Sequence, residues 1–401
     1  MRRAAPPDTN HARAVVRARE PDMSDTALRP IPFIDLQAQR RRIATEVEAA
    51  IARVLESGAF IMGPEVVALE EELARRAGTK HCLSCGSGTT ALTLPLLARG
   101  VGPGDAVFTP AFTFTSTAEV PALRGASTVF VDVDRTSFNM DPASLEAAIV
   151  AAKAAGLTPK CVIPVDLFGQ PADYAAIQSV ADAHGLWVLG DAAQSFGAQQ
   201  QGRPVGALCE VTATSFYPSK PLGCYGDGGA VFTDDDELYE RMRAIRVHGQ
   251  GRDRNDLVCF GLTARCDSIQ AAVLLEKLRL FDEECDLRDR VAKRYAEGLG
   301  DRVITPTLED GNTSVWAQYT IRSERRDAIV EHLGARSIPT AVFYGKPLHL
   351  QGPYAHFPQP EGGLPVTDAL SHEVVSLPFH PYLEVDDQDR VIAAVREAAR
   401  A

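Results

Sequence analysis

One lysine stands between two prolines at the end of an apolar run, in Ser215-Phe216-Tyr217-Pro218-Ser219-Lys220-Pro221-Leu222-Gly223. Val211 to Phe216 reads as a short strand, and the turn after it presents Lys220. Enclosing an ammonium group is costly, because its charge loses hydration. A desolvated amine, however, has a lowered pKa and becomes nucleophilic enough to form an imine with a carbonyl group. An isolated turn lysine is more often an exposed one, so Lys220 needs partners before it implies chemistry.

The partners come from three other stretches. Trp187 to Leu189 reads as a buried strand, which puts Asp191 of Leu189-Gly190-Asp191-Ala192-Ala193-Gln194-Ser195 at a strand's carboxyl end. Open α/β sheets bind ligands there, although a lone Asp could equally cap a helix. A lysine for a Schiff base and an acid for a pyridine nitrogen are the pair that pyridoxal 5'-phosphate (PLP) requires. Asp191 would keep that nitrogen protonated, and Gln194 could hydrogen-bond the ring's phenolic oxygen. Gly86-Ser87-Gly88-Thr89-Thr90-Ala91-Leu92 puts small residues ahead of an apolar helix. Free N–H groups and the helix dipole at Gly88 and Thr89 could hold a phosphate, with hydroxyls of Thr89 and Ser215 as further donors. In Phe112-Thr113-Phe114-Thr115-Ser116-Thr117, Phe114 could stack on a flat ring, or simply be a core phenylalanine.

In combination these stretches resemble the DegT/StrS-type nucleotide-sugar aminotransferases, a family of fold-type I PLP enzymes. GSGTTAL, TFTST, DAAQ and SFYPSKPLGCYGDGG occur in that family's order and spacing, and the likeness runs from about Ile31 to the C-terminus. By this resemblance Lys220 is the Schiff-base lysine and proton carrier, and Asp191 partners the ring nitrogen. Gln194 contacts the phenolic oxygen, Phe114 covers the ring face, and Gly88, Thr89 and Ser215 hold the phosphate. The implied reaction moves an amino group from glutamate to a nucleotide-linked keto sugar. Polysaccharide biosynthesis is the implied setting, and a homodimer with shared active sites the implied assembly.

Finer phrases, SVWAQYT, LFGQPADY and KPLHLQ, are similar to enzymes that aminate C3 of a UDP-linked 2-acetamido-3-keto sugar acid. The family's substrate-side segment corresponds to the loop holding Met62 and Glu65. Arg265 could pair bidentately with a carboxylate or phosphate. Tyr344 and His349 could line the same mouth, against the alternatives of a surface arginine, a core tyrosine and a satisfied histidine. The chain also departs from the family pattern. Thr263 replaces the asparagine that reaches the neighbouring subunit's cofactor phosphate, Asn255 stands where tyrosine is common, and Gly345 replaces a common proline. Two rival readings share the scaffold. Sugar dehydratases using PLP or its amine form carry histidine in place of the lysine, and a non-catalytic PLP-binding regulator would not need Lys220.

Bulk properties bound the rest. A chain of 401 residues with 45% hydrophobic and 23% charged residues can bury a large core, and two domains are expected. A net charge of −12 argues against nonspecific nucleic-acid binding, which needs a basic footprint. Eight cysteines include one C-x-x-C pair, Cys82 and Cys85, without a second pair to complete a zinc site, so no metal is expected. No apolar run is long enough for a membrane span, and scattered cysteines suit a reducing, cytoplasmic setting. Residues 1–29 read as a disordered extension rather than a signal peptide, with Met23 an alternative start. Residues 30–280 read as a large α/β PLP-binding domain with a mostly parallel sheet, because strands and helices alternate from Cys82 onward. A long helix from about Ser268 to Leu299 links it to a smaller α+β domain, residues 281–401.

Overall fold

The computed structural model describes residues 29–253 and 255–400. The expected N-terminal extension, Arg29 apart, lies outside the described residues. Asp35 caps helix α1 (Leu36–Ser57) by accepting from Ala38 N at 2.9 Å, and Gly58 ends it in the left-handed region at φ 67°. Pro64 opens helix α2 (Pro64–Ala77), where its missing N–H costs nothing. Alternation then sets in: β1 (His81–Cys85), α3 (Gly88–Ala98), β2 (Asp105–Pro110), α4 (Ser116–Leu123), β3 (Ser127–Val131), α5 (Pro142–Ala154), β4 (Thr158–Val162), α6 (Tyr174–His184) and β5 (Trp187–Asp191). A two-residue hairpin, β6 (Gln199–Gln200) with β7 (Arg203–Pro204), precedes β8 (Val211–Ser215), β9 (Gly229–Thr233) and α7 (Asp236–Arg246).

Seven of these strands form one sheet in the order β1-β9-β8-β5-β4-β2-β3. Pairings from β8 to β3 are parallel, whereas β9 runs antiparallel to both β1 and β8. The period of two is visible in the cores. Val107, Cys161, Leu189 and Val231 face one apolar layer with Leu94 of α3 and Met242 of α7. Their neighbours Phe108, Val162 and Val188 face the opposite layer with Ile149 of α5 and Ile177 of α6. Phe232 packs with Leu69 of α2 and with Leu274 and Leu278 of the long helix α8 (Ser268–Leu299). The sheet is therefore buried on both faces, and its strand ends are where polar side chains can gather.

After α8 come β10 (Tyr319–Arg322), α9 (Arg326–Gly334), α10 (Pro365–Glu373), β11 (Val374–Leu377) and α11 (Val385–Arg400). The antiparallel pair β10–β11, α9, α11 and the end of α8 share a core built on Tyr295, Tyr319, Leu333, Leu377 and Val395, whereas Leu370 of α10 packs with Phe112, Phe138 and Phe168. That core is separate from those of the sheet, and the expected domain boundary at 280/281 falls inside α8. From Ile31 on, the chain clusters as one unit. No helix among the described residues is long and apolar enough to cross a membrane. No cluster among them could hold a metal ion.

Candidate active site

Asp191 ends β5, only 4% exposed. Thr117 Oγ1, from the first turn of α4, donates to Asp191 Oδ2 at 3.0 Å, and Ala193 N donates to Oδ1 at 3.2 Å. Burial nevertheless pushes the carboxyl's pKa above its ordinary value, against those two donors and the positive charge of Lys220. A carboxylate so enclosed is under-compensated and suited to a cationic partner.

Lys220 follows β8 on a turn closed by its own N–H to Tyr217 O at 2.8 Å. The residue is half-buried, but its amine is enclosed, and burial lowers its pKa to about 8 while Asp191 pulls it upward. Among the described residues the amine makes no hydrogen bond or ion pair, so it is available as a nucleophile below the usual lysine range.

Gln194 lies three residues past the strand end and is buried. Its Oε1 accepts from Phe168 N at 2.7 Å, which leaves the amide NH2 as the free donor. Phe168 itself holds φ 60°, so this bond fixes a left-handed backbone position beside the site. Tyr344 reaches the same place. Burial and the Asp191 charge push its hydroxyl pKa up, with Gln194 as its hydrogen-bond partner. The Tyr344 ring meets Phe112 edge-on at 5.9 Å.

The small-residue loop docks against the end of β8. Ser87 caps α3 by accepting from Thr90 N at 3.1 Å. A Cβ on Gly88 would lie 2.6 Å from Ser215 Cβ, so only glycine lets the helix N-terminus approach this hydroxyl. Gly88, Thr89 and Ser215 are thereby gathered at one helix start, a geometry that suits a phosphate. Phe114 stands on the loop between β2 and α4 and is 56% exposed, free to cover a flat ring. Buried acid, unpartnered amine, amide donor and helix-start cradle together fit PLP.

The substrate-side residues divide. Met62 holds φ 55° in a loop bridged to the start of α8, with Ile61 opposite Asp267. Gly63 N donates to Ser268 Oγ at 3.0 Å, and Glu65 folds beside them with a buried, unpartnered Oε2. Arg265 lies three residues before that helix. Its carbonyl is 3.4 Å from where a Gly86 Cβ would stand, and its Nε is buried without a partner among the described residues. Met62, Glu65 and Arg265 thus share one neighbourhood. Thr263 sits apart on an exposed hairpin, its hydroxyl 2.7 Å from His248 Nε2. His349 is 9% exposed, with Nε2 3.0 Å from Asp368 Oδ1 and its ring near Phe130.

Sequence reasoning passed over Thr117 and Asp166. Asp166 follows β4 and is fully buried, accepting from Ser195 Oγ at 2.6 Å and from Ala172 N at 2.9 Å. Burial pushes its carboxyl up to about 7. The rule that singled out Asp191, an acid at a parallel strand's carboxyl end, applies equally to Asp166. Nothing in the sequence signals that Thr117 reaches across 74 residues to Asp191.

Comparison with known proteins bears on this geometry. A family model for the DegT/DnrJ/EryC1/StrS aminotransferases matches residues 41–396. The UDP-2-acetamido-2-deoxy-3-oxo-D-glucuronate aminotransferase of Pseudomonas aeruginosa is 48% identical over 366 residues, covering 91% of this chain and 99% of that protein. A DegT DnrJ EryC1 StrS aminotransferase from Brucella abortus superposes with a TM-score of 0.90 at 51% identity, covering 92% of this chain and 99% of the other. The S. venezuelae DesV structure, in complex with a ketimine intermediate, gives a TM-score of 0.88 at 40% identity, covering 93% and 99%.

Proposed function

The chain belongs to the DegT/DnrJ/EryC1/StrS aminotransferase family, whose enzymes depend on PLP, and from that premise we propose that it aminates C3 of a UDP-linked 2-acetamido-3-keto sugar acid with glutamate as donor. The reading is carried by one observation: a buried carboxylate and an unpartnered, depressed lysine amine within electrostatic reach of each other at adjoining strand ends. The P. aeruginosa relative, at 48% identity, supports the choice of sugar. Its product class fits polysaccharide biosynthesis.

When bound, PLP supplies an aldehyde carbon that can take up nitrogen and a ring that can accept electrons. The chain's own groups do the rest. Lys220 attaches the cofactor and, once released, holds and moves the proton at the substrate carbon that loses or gains nitrogen. Asp191 maintains positive charge at the ring nitrogen, and Thr117 keeps that carboxylate aimed. The amide donor of Gln194, its carbonyl end fixed by Phe168, would hydrogen-bond the phenolic oxygen. Gly88 and Thr89 N–H groups and the Ser215 hydroxyl bind the phosphate, and Phe114 shields one ring face. Arg265 would bind a carboxylate or phosphate of the sugar nucleotide, with Met62 and Glu65 beside the start of α8 and Tyr344 on the Gln194 side of the site.

The assembly proposed is a homodimer in which residues 261–267 serve the partner's site. Phe260 is 101% exposed and Leu257 and Val258 more than half exposed, an apolar patch costly to leave in water. Thr263 would then stand near the partner's phosphate cradle, with a shorter reach than an asparagine.

The test is a panel of UDP-, dTDP- and GDP-linked keto sugars, each incubated with purified holoenzyme and glutamate and followed by mass spectrometry. The UDP-linked 3-keto acid should be aminated fastest. Faster amination of a sugar lacking the carboxylate would overturn the substrate assignment, and no amination of any keto sugar would overturn the reaction.

A further inference from the structure

We propose that Lys277, which has no part in the reaction above, is a positioning residue that braces the turn presenting Lys220; the proposal rests on Lys220 being the cofactor-attaching amine. Lys277 lies on α8 and is 2% exposed. It sits within a helical stripe, Leu274, Leu278 and Phe281, that packs against Phe216, Leu222 and Cys224. An apolar side chain would fill that stripe without burying an amine. What the lysine provides is a donor: Nζ is 2.5 Å from Gly223 O and 4.4 Å from the centroid of the Tyr225 ring.

The carbonyl it holds belongs to the catalytic turn. Cys224 N donates to Phe216 O at 2.8 Å, closing the segment that carries Lys220. Gly223 is folded tightly onto the first half of that segment, since a Cβ there would lie 2.5 Å from Pro218 O and 2.7 Å from Tyr217 O. With the turn wrapped on itself, its buried Gly223 carbonyl is left to a donor from outside, and Lys277 is that donor. Burial lowers the Lys277 pKa to about 8, with Glu284 and Cys224 acting to raise it. In sequence the lysine stands out from an otherwise apolar helix face, but its target 54 residues away does not.

Removing this donor leaves a buried carbonyl unpaired and frees the turn to sample other geometries. Two readouts test it in the full chain. One is the rate at which added PLP becomes fixed to Lys220 by borohydride, mapped by peptide mass spectrometry. The other is amide hydrogen exchange across residues 217–224 in the apoprotein. Lys277→Met should attach PLP on the order of tenfold more slowly, with faster exchange confined to that segment, and Lys277→Arg should restore much of both. Wild-type attachment and wild-type exchange in Lys277→Met would overturn the brace. If Lys277→Met does not fold, Lys277→Gln, which keeps a shorter donor, is judged by the same readouts. If the wild type fixes no PLP at Lys220, the Lys220 assignment fails, and the exchange result alone decides whether Lys277 braces the turn.

Discussion

Asp191 and Phe260 mark two extremes of the same chain. Around Asp191, Thr117, Gln194 and Tyr344 converge from separate elements, each buried or half-buried and each with a partner. Around Phe260, residues 247–253 and 255–263 leave the fold as an exposed hairpin held by the bridges Val247–Thr263 and Gln250–Leu257, with large apolar side chains in solvent. Close by, Arg265 buries an Nε that finds no partner among the described residues. The first region is complete within one chain, so its chemistry can be read from one subunit. The second is complete only if something covers it. A buried acid whose partners all come from one chain and a hairpin left in solvent are what a shared site would look like from one subunit.

The comparison breaks most severely at Lys220. Lys220→Ala is expected to abolish turnover while the protein still folds and binds the amine form of the cofactor. Steady-state kinetics of the purified variant checks this, and wild-type-like rates would remove the lysine from its role. In the wild type, the rate of PLP attachment should rise with pH and level off above about 8, because the buried amine loses its proton there. An ordinary lysine would go on gaining free amine to about pH 10.4. Next in size is Asp191→Asn, which keeps shape but removes the negative charge facing the ring nitrogen. A fall in kcat on the order of a hundredfold or more is expected, with a near-unchanged melting temperature.

Much of the interior region was legible because its signals are local. A proline-bracketed lysine, an acid at a strand's end and a Gly-Ser-Gly helix start each follow from a short run of residues. The parallel sheet was legible from alternation, since strands buried on both faces read as continuous apolar runs. The antiparallel course of β9 was not, because direction depends on how the Pro218–Gly228 connection folds rather than on composition. Thr117 and Lys277 escaped for a related reason: each acts on a residue 74 or 54 positions away, and only the fold brings them together. Helix α10 and strand β11 were also passed over, in a stretch whose Gly362, Gly363 and Pro365 suggest only a loop. His349 is expected at the substrate mouth, and the structure shows its ring beside Phe130 and its Nε2 at Asp368.

The most direct test of the shared site mixes two inactive proteins. Lys220→Ala and Arg265→Ala should each be severely impaired alone. After subunit exchange, a mixed dimer would hold one site with both lesions and one with neither, restoring about a quarter of wild-type activity under random pairing. If exchange is demonstrated and no activity returns, or if the wild type sediments as an active monomer, the two regions do not serve each other across an interface.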